Sequence, residues 1–80
     1  MEINKVYQTI KNDSDDRNVA FHRLSLYGAI IEELTSTHGL HVIDIKELSE
    51  HNDEGKFTII RIKVRFELIE ELPKTERVDA

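Results

Sequence analysis

Residues 56–70, KFTIIRIKVRFELIE, place Ile60, Ile62, Val64, Phe66 and Leu68 at every second position, with Arg61, Lys63, Arg65 and Glu67 between them. Successive side chains of a strand point to opposite faces, so this alternation predicts a strand with one face in a core. At about 3.3 Å per residue such a strand runs roughly 50 Å. A compact domain of 80 residues has a radius of gyration of only about 12 Å. A strand of that length must bend around something or reach beyond its own subunit.

The rest of the chain supplies few ways to stabilise a lone subunit. At 80 residues it is read as one domain over residues 1–72 with a polar tail over 73–80. Chains this short bury only about 60% of their unfolded surface. Without cysteine there is no disulfide staple and no thiolate metal site, and small scaffolds of this kind gain stability by oligomerising. The net charge of −5 favours solubility and opposes a nucleic-acid partner. The sequence shows no signal-like segment and no run long enough to span a bilayer, so a soluble, cytoplasmic protein without membrane contact is expected.

In chain order, residues 6–10 (VYQTI) predict a short first strand, and the turn formers KNDSDD over residues 11–16 offer Asp13 or Ser14 as a helix cap. A helix follows over about residues 15–37. Ala20, Leu24, Tyr27, Ile31 and Leu34 recur at helical spacing and define its apolar face, which Val19, Leu26 and Ile30 widen. Gly39 suits the positive φ of a helix end, and Gly28 is expected to mark the close approach of a neighbour. Residues 40–50 predict a second strand, joined to the third by an even loop at residues 52–55. That parity sets Ile43 and Ile45 beside Ile60, Ile62 and Val64 on the core face. Leu40, Val42, Leu48, Phe57, Ile59 and Ile69 then share the other face with Asp44, Lys46, Arg61, Lys63, Arg65 and Glu67. One helix covers one side of a sheet, so this second, half-apolar face is the candidate subunit interface or ligand surface.

The order is β-α-β-β, an α+β fold with a long antiparallel hairpin wrapped around one helix. It resembles the dodecins, through the opening VYQTIKNDS and the closing strand GKFTIIRIKVRFELIEE, over about residues 6–71. The resemblance implies a homo-oligomer, of twelve subunits in that family, that holds flavins between subunits on the sheet face away from the helix. By spacing, the family's flavin-stacking tryptophan falls on Leu40 and its flavin-bonding glutamine on Ile59. Leu40 offers no π-face and Ile59 no hydrogen bond, so weak or no flavin binding is expected and the cofactor stays unassigned. The family's Gly-Thr-Ser turn is replaced here by residues 12–16. The resemblance, together with the second face, makes Leu40, Val42, Phe57, Ile59, Arg61, Lys63 and Arg65 the candidate ligand-binding residues.

Other chemistries find little support. Arg61, Lys63 and Arg65 make a basic stripe suited to an anion, but pairing with Asp44 and neighbouring acids is the favoured reading. His22, His38, His41 and His51 show no zinc-type spacing, and the Asp13–Asp16 cluster lacks the glycine and glutamate of a calcium loop. No nucleophile elbow, P-loop or dinucleotide fingerprint is present, so the chain is not expected to be an enzyme. The functional expectation is a non-enzymatic oligomer that stores or sequesters a small ligand. The alternatives are a protein-interaction module using the exposed sheet face and, behind it, nucleotide or RNA binding through Arg61, Lys63 and Arg65.

Overall fold

The alternation in residues 56–70 becomes the centre of the molecule. In a computed structural model, which describes residues 1–69, the elements run β1 (Glu2–Asn12), α1 (Val19–Ser36), β2 (Leu40–Asn52) and β3 (Phe57–Leu68). The fold is therefore α+β in the order β-α-β-β. β3 is the middle strand of a three-stranded sheet ordered β1-β3-β2, and it pairs antiparallel with both neighbours. The radius of gyration is 17.5 Å and the longest axis 63 Å, well beyond the roughly 12 Å radius of a compact chain of this size. The hairpin does reach outward.

The helix lies on one face of the sheet and buries Ile60, Ile62, Val64 and Phe66 of β3 beneath Leu26 and Ile30. Ile3 and Tyr7 of β1 and Val19, Tyr27 and Leu34 of α1 close the sides of this core. The buried stripe of α1 is His22, Leu26 and Ile30, with i, i+4 spacing. The expected face is thus rotated: Leu24 is 69% and Ile31 59% exposed. The reason is His22. Its Nε2 lies 3.0 Å from Asp15 Oδ2, which lets an imidazole take a core position that hydropathy alone would refuse it. Asp15 also accepts from the backbone N–H and Nε of Arg17, each at 3.0 Å. The Arg17 guanidinium holds the Asp15 carboxyl well below the usual carboxylate range, with smaller help from His22. Asp15 is therefore spent on this clasp, and the helix starts later than expected, capped by Asn18, whose Oδ1 accepts from the Phe21 N–H at 3.0 Å.

Gly39 takes φ +80°, as expected, and turns the chain from α1 into β2. Any Cβ there would collide with the Ile69 carbonyl. The hairpin loop has the even length expected but falls one residue later, at residues 53–56, with Asn52 opposite Phe57. Near the loop the parity is the expected one, and Ile45 lies opposite Val64. The register then shifts between Val42 and Asp44, where Ile43 has no ladder partner. A bulge of one residue reverses every side chain beyond it. Leu40 faces Leu68 and Val42 faces Phe66, both on the helix side. Pro73 and the polar tail lie outside the described residues. Among the described residues no helix is long and apolar enough to cross a membrane.

Candidate functional site

The face of the sheet away from the helix is built by alternation on all three strands. β3 presents Phe57, Ile59, Arg61, Lys63, Arg65 and Glu67, because their neighbours point into the core. The register sets Asn4, Val6, Gln8 and Ile10 of β1 beside Arg65, Lys63, Arg61 and Ile59. On the other flank it sets Asp44, Lys46, Leu48 and Glu50 of β2 beside the same four. Among the described residues nothing covers this face at its centre, where Val6 stands 58% exposed.

Five of the seven candidate residues are on this face: Phe57, Ile59, Arg61, Lys63 and Arg65. Leu40 and Val42 are not, which corrects the expectation from hairpin parity. The bulge turns them inward, and Leu40 is buried in the core. The two positions that the dodecin resemblance assigns to one flavin, Leu40 and Ile59, therefore lie on opposite sides of the sheet. A single chain does not bring them together. Ile43, expected in the core, is exposed at the bulge.

The charges on the face sort into paired and unpaired groups. Arg61 donates from Nε to Gln8 Oε1 at 2.7 Å and approaches Glu50 at 3.7 Å. Arg65 Nε lies 3.2 Å from Glu2 Oε2. So neighbouring acids do neutralise the two arginines, from both edge strands. Asp44, expected to pair with them, makes no ion pair among the described residues. Lys63 faces Lys46 directly across the β2–β3 ladder, and neither has an acidic partner among the described residues. Like charges directly opposite are destabilising. A depression of about 330 Å³ opens here, lined by Asn4, Val6, Asp44, Lys46, Lys63 and Arg65. A second of about 270 Å³, toward the loop, is lined by Leu48, Glu50, Ile59 and Arg61.

β1 is the contributor that sequence reasoning missed. Its alternation of Ile3 and Tyr7 against Val6 and Ile10 already marks two faces, but only the ladder shows that Val6 flanks Lys63. The histidines stay apart. His22 is in the core and His41 faces Glu67. His51 sits at the loop end of β2, with Nε2 3.1 Å from Asp13 and Nδ1 3.0 Å from Asp53. Asp13 accepting its ring N–H, aided by Asp53, raises its pKa above the ordinary value. Among the described residues no group of three or more His, Asp or Glu side chains is placed to hold a metal ion. Comparison with known protein families, with curated proteins and with solved structures finds no match to this chain.

Proposed function

We propose that the chain is a non-enzymatic, self-assembling protein that stores or sequesters a small ligand on its open sheet face. The observation that carries this reading is apolar surface left uncovered beside the helix. Tyr27 bonds to Glu47 of β2, and Arg23 lies 3.6 Å from the same carboxylate, so this flank of α1 overlooks β2. Leu24 and Ile31, one turn to either side of Tyr27, are exposed on α1, as are Val42 and Ile45 on the helix side of β2. Soluble monomers rarely keep such a patch in water, and a second copy is the occupant that a small, disulfide-free chain most readily supplies. A ring or shell of the dodecin kind is one way of closing these contacts. The ligand face is then left to the far side of the sheet.

Native mass spectrometry of the purified protein tests this. A discrete oligomer is expected, and Ile45→Lys should dissociate it while far-ultraviolet circular dichroism stays unchanged. A monodisperse monomer at micromolar concentration would refute the proposal. A second reading, a module that grips a protein partner, is favoured by one observation: β2 is an edge strand, with no strand on its outer side among the described residues. That reading predicts a monomer or dimer whose partner binding is weakened by substitutions at Phe57 and Ile59.

A further inference from the structure

The far face carries a charge arrangement that assembly through the β2 flank does not explain. Lys46 and Lys63 are direct partners in the ladder, on the same side of the sheet, with no acid bonded to either among the described residues. Opposite pairs in antiparallel ladders keep their Cβ atoms only about 4.5–5.5 Å apart. Arg65 and Arg61 flank Lys63 at two residues on either side, which adds positive potential along about 13 Å of β3. Their acids, Glu2 and Glu50, come from the outer strands and leave the centre uncompensated. Among the described residues Asp44 is the one carboxylate lining the depression, against Lys46, Lys63 and Arg65.

We propose that this depression binds a compact polyanion of the phosphate type, with Lys46 and Lys63 gripping it as a pair and Arg65 at its edge. The lysine pair offers two ammonium groups side by side to linked phosphates, and charge-assisted bonds to phosphate oxygens are among the stronger polar contacts a surface makes. Val6, exposed beside Lys63, offers apolar contact to whatever organic body the anion carries. The same charges argue against a second copy as the occupant. A two-fold axis through Lys63 would press Lys46, Lys63 and both arginines against their own images. They argue against a nucleic-acid strand as well. The cations cover a patch rather than a track, acids rim it, and the chain carries a net charge of −5.

The proposal deepens the ligand-storage reading by naming a ligand class, and it rests on the far face being the ligand face, not on the assembly. Inorganic pyrophosphate is the probe, titrated by calorimetry and by amide NMR shifts. Binding is expected to shift the amides around Lys46, Lys63 and Arg65, and Lys46→Met or Lys63→Met should each weaken it about tenfold or more. Each of these substitutions also removes a like-charge contact, so the variants should melt no lower than the parent protein, and Lys46→Arg should retain binding. The same amide shifts from chloride at equal ionic strength, or unchanged affinity in both methionine variants, would overturn the proposal. So would a single-stranded RNA oligomer binding more tightly than pyrophosphate through the same lysines. Light scattering on the same samples separates the two claims. An oligomer that ignores pyrophosphate refutes only this inference, whereas a monomer that binds it refutes only the assembly.

Discussion

β2 and β3 form the two arms of one hairpin, nearly equal in length, and both carry apolar residues on the helix side of the sheet. Yet Phe66 of β3 is fully buried, whereas Ile45 of β2 is 40% exposed. Side-chain type does not separate these two positions, since phenylalanine and isoleucine are both strand formers. Position does. β3 has a strand on each side and α1 above it, while β2 lies at the sheet edge, beyond the width that one helix shields. Burial in so small a chain is thus decided by where the helix sits, and the outer arm is left with core-type residues and no core of its own.

The sharpest way to break this contrast is to truncate one residue on each arm. Phe66→Ala should cost about 3–5 kcal/mol in urea denaturation, enough to unfold much of a marginal domain. Ile45→Ala should cost less than about 1 kcal/mol in the isolated chain. If the two losses were equal, β2 would be as deeply packed as β3. A smaller effect probes what does hold β2 to the helix. Tyr27→Phe removes the hydroxyl that bonds to Glu47, and should destabilise by about 0.5 kcal/mol, given the exposure of the pair. The smallest effect is at the loop end, where His51 ties β2 to Asp13. The folded His51 pKa is raised above 6.5, so its contribution is complete below the unfolded value and fades as pH rises through the folded one. The melting-temperature difference between the parent and Asp13→Asn should therefore be visible near pH 6 and vanish at alkaline pH.

The sequence discloses the inner arm far better than the outer one. Ile60 to Leu68 alternate without interruption, so β3 and its buried face are legible from spacing alone. α1 is legible as a helix but not in its rotation, because Leu24, Leu26, Ile30, Ile31 and Leu34 surround much of its circumference. The choice among them is tied to a bond between the helix and the loop before it, His22 to Asp15, that no periodicity reveals. β2 is the least legible arm. One unpaired residue, Ile43, exchanges the faces of Leu40 and Val42, and nothing in LHVIDIKEL announces it. The candidate site inherits this split. Phe57, Ile59, Arg61, Lys63 and Arg65, all on β3, are where spacing puts them, whereas the β2 candidates are reversed and the β1 contributors appear only through pairing.

The irregularity at Ile43 also bears on how the protein behaves when crowded. An edge strand with a smooth row of free amide and carbonyl groups is a template on which further strands can zip without limit, and thirteen residues make a long template. A bulge breaks that row and adds local twist. A fibril needs flat, repeating edges, and here the edge is bent where its apolar residues are densest. The same kink that hides Leu40 makes β2 the poorer template of the two sheet edges, since β1 runs in unbroken register.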